Sequence, residues 1–437
     1  MTRSGDLDPV DLIDATLQRI HAVDGHLHAY VAVLETSARA EAQSLRNRAD
    51  LASLPLAGVP VAIKDNIPIA GEPTTHGSRA RPSTPASADA LIVQRLRAAG
   101  AVIVGRTVMP ELAIWPFTEP DAFPAPRNPW NTALTPGGSS GGSAVAVAAR
   151  MAAVAVGSDG GGSIRVPAAC CGIVGVKPAP GLVPLPGNRD EHWYGLTAFG
   201  PLARTVEDAA LMLDVLAGTR TYRDPVATTG GLRIAVSTRH PVFGVRPAPG
   251  VRQAVELAAS VLGSAGHSVI RRNPRYPMLP TQFTRPWLAG IAQDADELDI
   301  DLSAVEPRSA AMIRRGHRAQ RKVTPAGSSR FARYIRGWFG GCDVLLTPVL
   351  ATPPVRVGTW HGKGWVSTML GSARWLYTNM WNVAGVAAMA VPAGLRADGL
   401  PLAVQLIAPA GSERLLLSVA AQLERADPWP LAPDLKP

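Results

Sequence analysis

The sequence predicts an α/β fold. Short apolar runs of strand length alternate with amphipathic helical stretches. Two such runs, 56–63 and 101–105, bracket a helical pattern at 88–99. Two more, 232–236 and 267–270, bracket a helix at 248–262 and read as a compact β-α-β unit. Of the 437 residues, 46% are hydrophobic, enough for a sizeable core. Length alone allows about two or three domains, or one large α/β domain.

Along the chain, 8–24 reads as an amphipathic helix, with Asp8 as N-cap, Pro9 in the first turn and Val10, Ile13, Leu17 and Ile20 near helical spacing. An Ala-, Glu- and Arg-rich helix follows over 36–50. The run 56–63 reads as a buried strand, and Lys64 stands at its end, an unusual place for a charge. Beyond the strand at 101–105 lies a Pro-, Trp- and Phe-rich loop, 110–131, of the kind that often lines a site. The stretch 178–201 is again loop-rich and holds His192-Trp193-Tyr194. Thr205 caps a helix over 204–217, and 228–231 reads as a linker. Past the β-α-β unit, 275–330 is polar and helical in patches. Residues 343–348, 388–392 and 402–408 read as strands, and 412–425 as a closing helix capped by Ser412.

The net charge of +9 comes almost wholly from arginine, since lysine occurs only at 64, 177, 322, 363 and 436. The arginines are dispersed and no aromatic ladder accompanies them, so a solvated basic surface is expected rather than a nucleic-acid site. Cys170, Cys171 and Cys342 fit neither a disulfide framework nor a zinc spacing, and core thiols in a reducing compartment are expected. The first residues lack the apolar segment of a signal peptide. No uncharged apolar run reaches the roughly 18 residues of a spanning helix. A soluble cytoplasmic protein with no membrane partner is the expectation.

Chemistry concentrates in 135–166. Two glycine- and serine-rich turns, 137–143 and 158–163, flank a small-residue apolar segment and bring hydroxyls and bare N–H groups together. A phosphate cradle would need a following Gly-Lys-Ser/Thr or a strand–GxGxxG–helix order, and neither is present. Gly137-x-Ser139-x-Gly141 matches a nucleophile elbow, but Thr-Pro rather than an apolar strand leads into it, and no histidine sits in a persuasive setting. No His, Asp or Glu group has metal-ligand spacing, so neither metal nor cofactor is expected. The fourth reading is a hydrolase built on lysine and serine.

GGSSGGSA at 137–144 and GSDGGGSIRVPAACCGIVGVKP at 157–178 resemble the signature of the amidase signature family. LAGVPVAIKDN (56–66) is similar to that family's lysine strand, and RNPWN (127–131) and GPLARTVEDAA (200–210) to its connecting motifs. CDVLLTPV (342–349), Asn382 with Gly385, and DGLPLAVQLIA (398–408) resemble its C-terminal half. The resemblance covers nearly the whole chain. It implies a single domain over 1–437, with a mixed central β-sheet covered by helices on both sides. A signature core at 56–210 and a C-terminal part at 228–430 would together complete the sheet and the pocket. Position by position, it implies Ser163 as the acylated nucleophile, Ser139 as the bridging serine with its Gly138 peptide in cis, and Lys64 as the base. It further implies an oxyanion hole from the N–H groups of Gly160, Gly161, Gly162 and Ser163, and a bracing pair, Asp159 and Arg165. Ser140 is expected as a hydrogen-bonding neighbour of the triad and Ser143 as a helix cap.

Physical chemistry agrees with these roles. A serine hydroxyl is a weak nucleophile until a base takes its proton. Burial at the end of an apolar strand disfavours a charged lysine, so Lys64 can be that base without a histidine. A helix beginning at Ser163 would reinforce the oxyanion hole. The implied reaction is hydrolysis of an amide C–N bond. An apolar or aromatic substrate is expected from tryptophans in variable loops, with Trp115, Trp130, Trp193 and Trp381 as pocket candidates. The same attack opens carbamates, anilides and esters, so a urethanase, aryl-acylamidase or esterase is one alternative. The glutaminase subunit of a tRNA-dependent amidotransferase, active only with partner chains, is another. Otherwise the partner implied is a small-molecule amide or carbamate, and a homodimer is left open. Position 160 is usually larger in the family, often threonine. Gly160 is therefore expected to loosen the oxyanion loop or enlarge the pocket.

Overall fold

The apolar runs fold as strands whose successive side chains enter cores on opposite faces of one sheet. The computed structural model describes residues 2–80, 84–187, 189–223, 231–278 and 281–433. Its strands are β1 (Tyr30–Val33), β2 (Pro60–Lys64), β3 (Val102–Thr107), β4 (Val154–Asp159), β5 (Val174–Lys177), β6 (Ala198–Ala203), β7 (Arg233–Val236), β8 (Ser268–Arg271), β9 (Val344–Pro348), β10 (Ala387–Leu395) and β11 (Pro401–Ala408). They lie in the order β1-β3-β2-β4-β6-β5-β10-β11-β9-β7-β8. The sheet is mixed. β3, β2 and β4 run parallel, as do β8, β7 and β9. Antiparallel pairing through β6, β5, β10 and β11 joins these two blocks.

Side-chain alternation sorts the cores. Val61, Ile63 and Ile103 pack on one face with Ile92, Leu96, Met212 and Leu213. Ala62, Val102 and Val104 pack on the other with Ile13, Leu17, Val145 and Val147. A third core forms where Leu345, Ala388 and Ile407 meet Trp287, Ile313 and Trp381. Helices thus cover both faces, as expected. Among the described residues no helix is long and apolar enough to cross a membrane.

Most predicted elements stand within a few residues of their bounds. The N-caps at Asp8 and Thr205 form, accepting from the N–H of Val10 and Asp208. Ser412 precedes the helix Glu413–Ala426 but makes no side-chain cap bond. The strand read at 56–63 starts only at Pro60, because Gly58 turns the chain with φ +72°. The expected helix at 36–50 is Glu35–Arg46. The patchy stretch 275–330 contains the helices Thr281–Glu297 and Pro307–Gln320. The linker read at 228–231 lies, but for Gly231, outside the described residues. Ser158 and Asp159, read as turn residues, close β4. That last difference builds the site.

Candidate active site

β2 and β4 are parallel neighbours, so their C-terminal ends carry Lys64 and Ser158 to the same edge of the sheet. Lys64 Nζ lies 2.7 Å from Ser139 Oγ and 2.8 Å from Ser158 Oγ. Lys64 and Ser139 are fully buried. Burial strips water from the ammonium and lowers its pKa from 10.5 to about 7, with the Asp159 charge pulling the other way. Asn66 Nδ2 donates to Ser158 Oγ at 3.1 Å. With Ser158 accepting a lysine N–H, the lone pair of a neutral Lys64 is free to face Ser139.

Ser139 enters the helix Gly141–Ala148 through a cis Gly138–Ser139 peptide. Ser140 ties the two serine segments together. Its N–H donates to the Ser163 carbonyl at 3.1 Å, and its hydroxyl accepts from the Ser158 N–H at 3.4 Å. Ser143 is not a cap. It lies inside the helix, which has already begun at Gly141, and its hydroxyl pairs with Thr107 Oγ1 at 2.7 Å.

The segment that carries Ser163 hangs from Asp159. That carboxylate accepts from the N–H of Gly162 (2.7 Å) and Ile164 (3.2 Å), and from the Arg165 guanidinium at 2.9 Å. Burial works to raise its pKa, but the Arg165 charge and hydrogen bonds hold it well below the usual carboxylate range. Arg165 also donates to the Thr378 carbonyl, Gln405 Oε1 and Asn382 Oδ1. The expected bracing pair is therefore present and anchored in the C-terminal half.

Three expectations change. The Gly162 N–H is committed to Asp159, so it is not available to an oxyanion. The N–H groups of Gly160, Gly161 and Ser163 have no partner among the described residues. The helix after Ser163 is Arg165–Cys171, so it does not begin at Ser163. Nor does a hydrogen bond join the hydroxyls of Ser139 and Ser163, although both residues border one cavity.

Two cavities meet at Ser163. The larger, ≈ 370 Å³, is bordered by Asn66, Ser139, Ser158, His192 and Asp294. The smaller, ≈ 100 Å³, is apolar and bordered by Trp115, Gly161, Phe283, Trp287 and Met369. Trp193 borders both. The other two tryptophan candidates border neither cavity. Trp130 Nε1 donates to the Cys171 carbonyl at 2.8 Å, which ties its ring to a helix end. Trp381 is fully buried against Tyr276 and Phe331. Gly160 does not enlarge the pocket. A Cβ there would lie 2.7 Å from Trp193 Cε3, so the indole already fills the space. Sequence reasoning gave no role to Ser158, Asn66, Asp294 or Phe283. The first two carried a readable signal, as polar residues at the ends of apolar strands beside Lys64 and the turn that holds Ser163.

The chain matches the amidase family over residues 11–417. It is 45% identical over 448 residues to a Mycobacterium tuberculosis protein, AmiB2, an amidase by name, with 98% of this chain and 95% of that one covered. It is 35% identical over 472 residues to the 6-aminohexanoate-cyclic-dimer hydrolase of a Pseudomonas species, covering 98% of this chain and 94% of that one. A solved structure of 6-aminohexanoate cyclic dimer hydrolase matches with a TM-score of 0.83 at 32% identity, over 98% of this chain and 95% of that one.

Proposed function

The chain belongs to the amidase signature family of hydrolases acting on carbon–nitrogen bonds, and on that premise we propose that it cleaves an amide through an acyl-enzyme on Ser163. The observation that carries this reading is a buried lysine with a pKa of about 7, held between two serine hydroxyls. Neutral Lys64 takes the Ser139 proton while Ser139 takes that of Ser163. Ser163 Oγ bonds to the carbonyl carbon, and the oxyanion faces the N–H groups of Gly160, Gly161 and Ser163. Losing one such donor costs roughly a hundred- to a thousandfold in rate. Collapse breaks the C–N bond, and the departing amine takes the proton that Ser139 relays back from Lys64. Water then enters by the same relay and releases the acid.

The aromatic lining of the smaller cavity supports a substrate with an apolar or aromatic group. Similarity to a protein named as an amidase favours an amide over a carbamate or an ester. Ser163→Ala, assayed on a panel of p-nitroanilides, should lose activity by roughly ten-thousandfold or more. Undiminished turnover would remove Ser163 from the reaction.

A further inference from the structure

Among the described residues only Ala113, Ser163 and Trp193 border both cavities, and Trp193 is the one large side chain among them. Its seat is built by two absent side chains. A Cβ at Gly160 would lie 2.7 Å from the indole, and a Cβ at Gly290 would lie 2.5 Å from Trp193 Cδ1. The indole N–H donates to Asp294 Oδ2 at 2.6 Å. His192 stacks on the ring at 5.4 Å and shares the same carboxylate. Backbone geometry marks the place as well. Two consecutive pairs of non-glycine residues, Leu112-Ala113 and Trp193-Tyr194, have positive φ, from 50° to 57°. One member of each pair, Ala113 and Trp193, borders both cavities. Side chains are rarely held in that region unless the surrounding structure imposes it.

We propose that Trp193, seated against Gly160 and Gly290, is a specificity-determining wall that makes the enzyme read the two sides of the scissile bond in separate chambers. The inference rests on the acyl-enzyme reading above. It also assigns the sides. The leaving amine must take its proton from Ser139, which borders only the larger and less apolar chamber. The acyl group then lies in the smaller chamber, beside Gly161 and the aromatic rings of Trp115, Phe283 and Trp287. At ≈ 100 Å³ that chamber takes a short aliphatic or single-ring acyl group, while the ≈ 370 Å³ chamber takes a larger and more polar amine. The substrate class is thus an N-substituted amide with a compact apolar acyl part.

The test compares kcat/KM for butyryl and decanoyl p-nitroanilide in the parent, Trp193→Ala and Trp193→Phe proteins. Mass spectrometry after treatment with a small fluorophosphonate reports in parallel whether Ser163 is reactive. The parent should prefer the butyryl substrate. Trp193→Ala should raise the decanoyl-to-butyryl ratio by about tenfold or more, and Trp193→Phe by less. Loss of fold alone lowers both rates together and leaves the ratio unchanged. A parent that prefers decanoyl, or any folded variant whose ratio stays at the parent value, overturns the wall while labelled Ser163 leaves the acyl-enzyme reading intact. A parent that is neither labelled at Ser163 nor active on any anilide sinks that reading, and the wall with it.

Discussion

At the scale of single residues, the proposed relay fixes the expected pH dependence. In that relay Lys64 must be neutral to act, and burial lowers its pKa to about 7. The kcat/KM profile should therefore rise about tenfold per pH unit below 7 and level off above it. Lys64→Met should abolish that profile and at the same time change stability. The lysine is charged below pH 10.5 when unfolded but only below about 7 when folded. Folding therefore carries the full cost of burying this group below pH 7, and that cost fades as pH rises toward 10.5. Lys64→Met should be more stable than the parent at pH 6, by up to a few kcal/mol less the lost hydrogen bonds, and the advantage should shrink at pH 9. Thermal midpoints at the two pH values decide this, and an equal advantage at both would contradict it. Ser158→Ala leaves the lysine one hydroxyl and should lower kcat by roughly ten- to a hundredfold with little change in KM. The positions of Lys64 and Ser163 stand out in the sequence because the segments that carry them are local. The diversion of the Gly162 N–H does not, because it depends on where the Asp159 carboxylate points.

Between elements, the Arg165 guanidinium joins residues more than 200 positions apart in sequence. Arg165 opens the helix Arg165–Cys171, and its bonds reach Asn382 in the helix Asn379–Ala384 and Gln405 in β11. Arg165→Met would leave the Asp159 carboxylate buried without its cation. It should cost about 3–5 kcal/mol, read as a lower urea midpoint. Asn382→Ala removes neutral partners of the same pair and should cost about 1–3 kcal/mol. An Arg165→Met midpoint equal to that of the parent would mean the pair does not brace the loop. The strands β2, β3, β7, β9, β10 and β11 were readable to within a few residues because their runs are apolar and mostly buried, whereas β1, β4, β5 and β6 were not read as strands. The stretch 275–330 was read only as helical in patches, without the bounds of its helices Thr281–Glu297 and Pro307–Gln320. Trp130 and Trp381 show the same limit. Their type suggested a pocket, but their contacts put them at a helix end and in a core.

Over the whole molecule, the sheet closes only when both halves of the chain are present. β5 pairs with β10, and β10 and β11 link the two parallel blocks. A chain cut after Arg223 should neither hydrolyse anilides nor take up a fluorophosphonate at Ser163, although it holds Lys64, Ser139 and Ser163. Co-expression with the remainder should restore both, and activity in the fragment alone would show that the first half suffices. Strand order of this kind is not legible from local pattern, since it depends on pairing between residues far apart in sequence. The anchoring of Arg165 on Thr378, Asn382 and Gln405 has one more consequence. During synthesis Ser163 leaves the ribosome long before Thr378, Asn382 and Gln405, so a nascent chain carries this serine without the residues that anchor its loop.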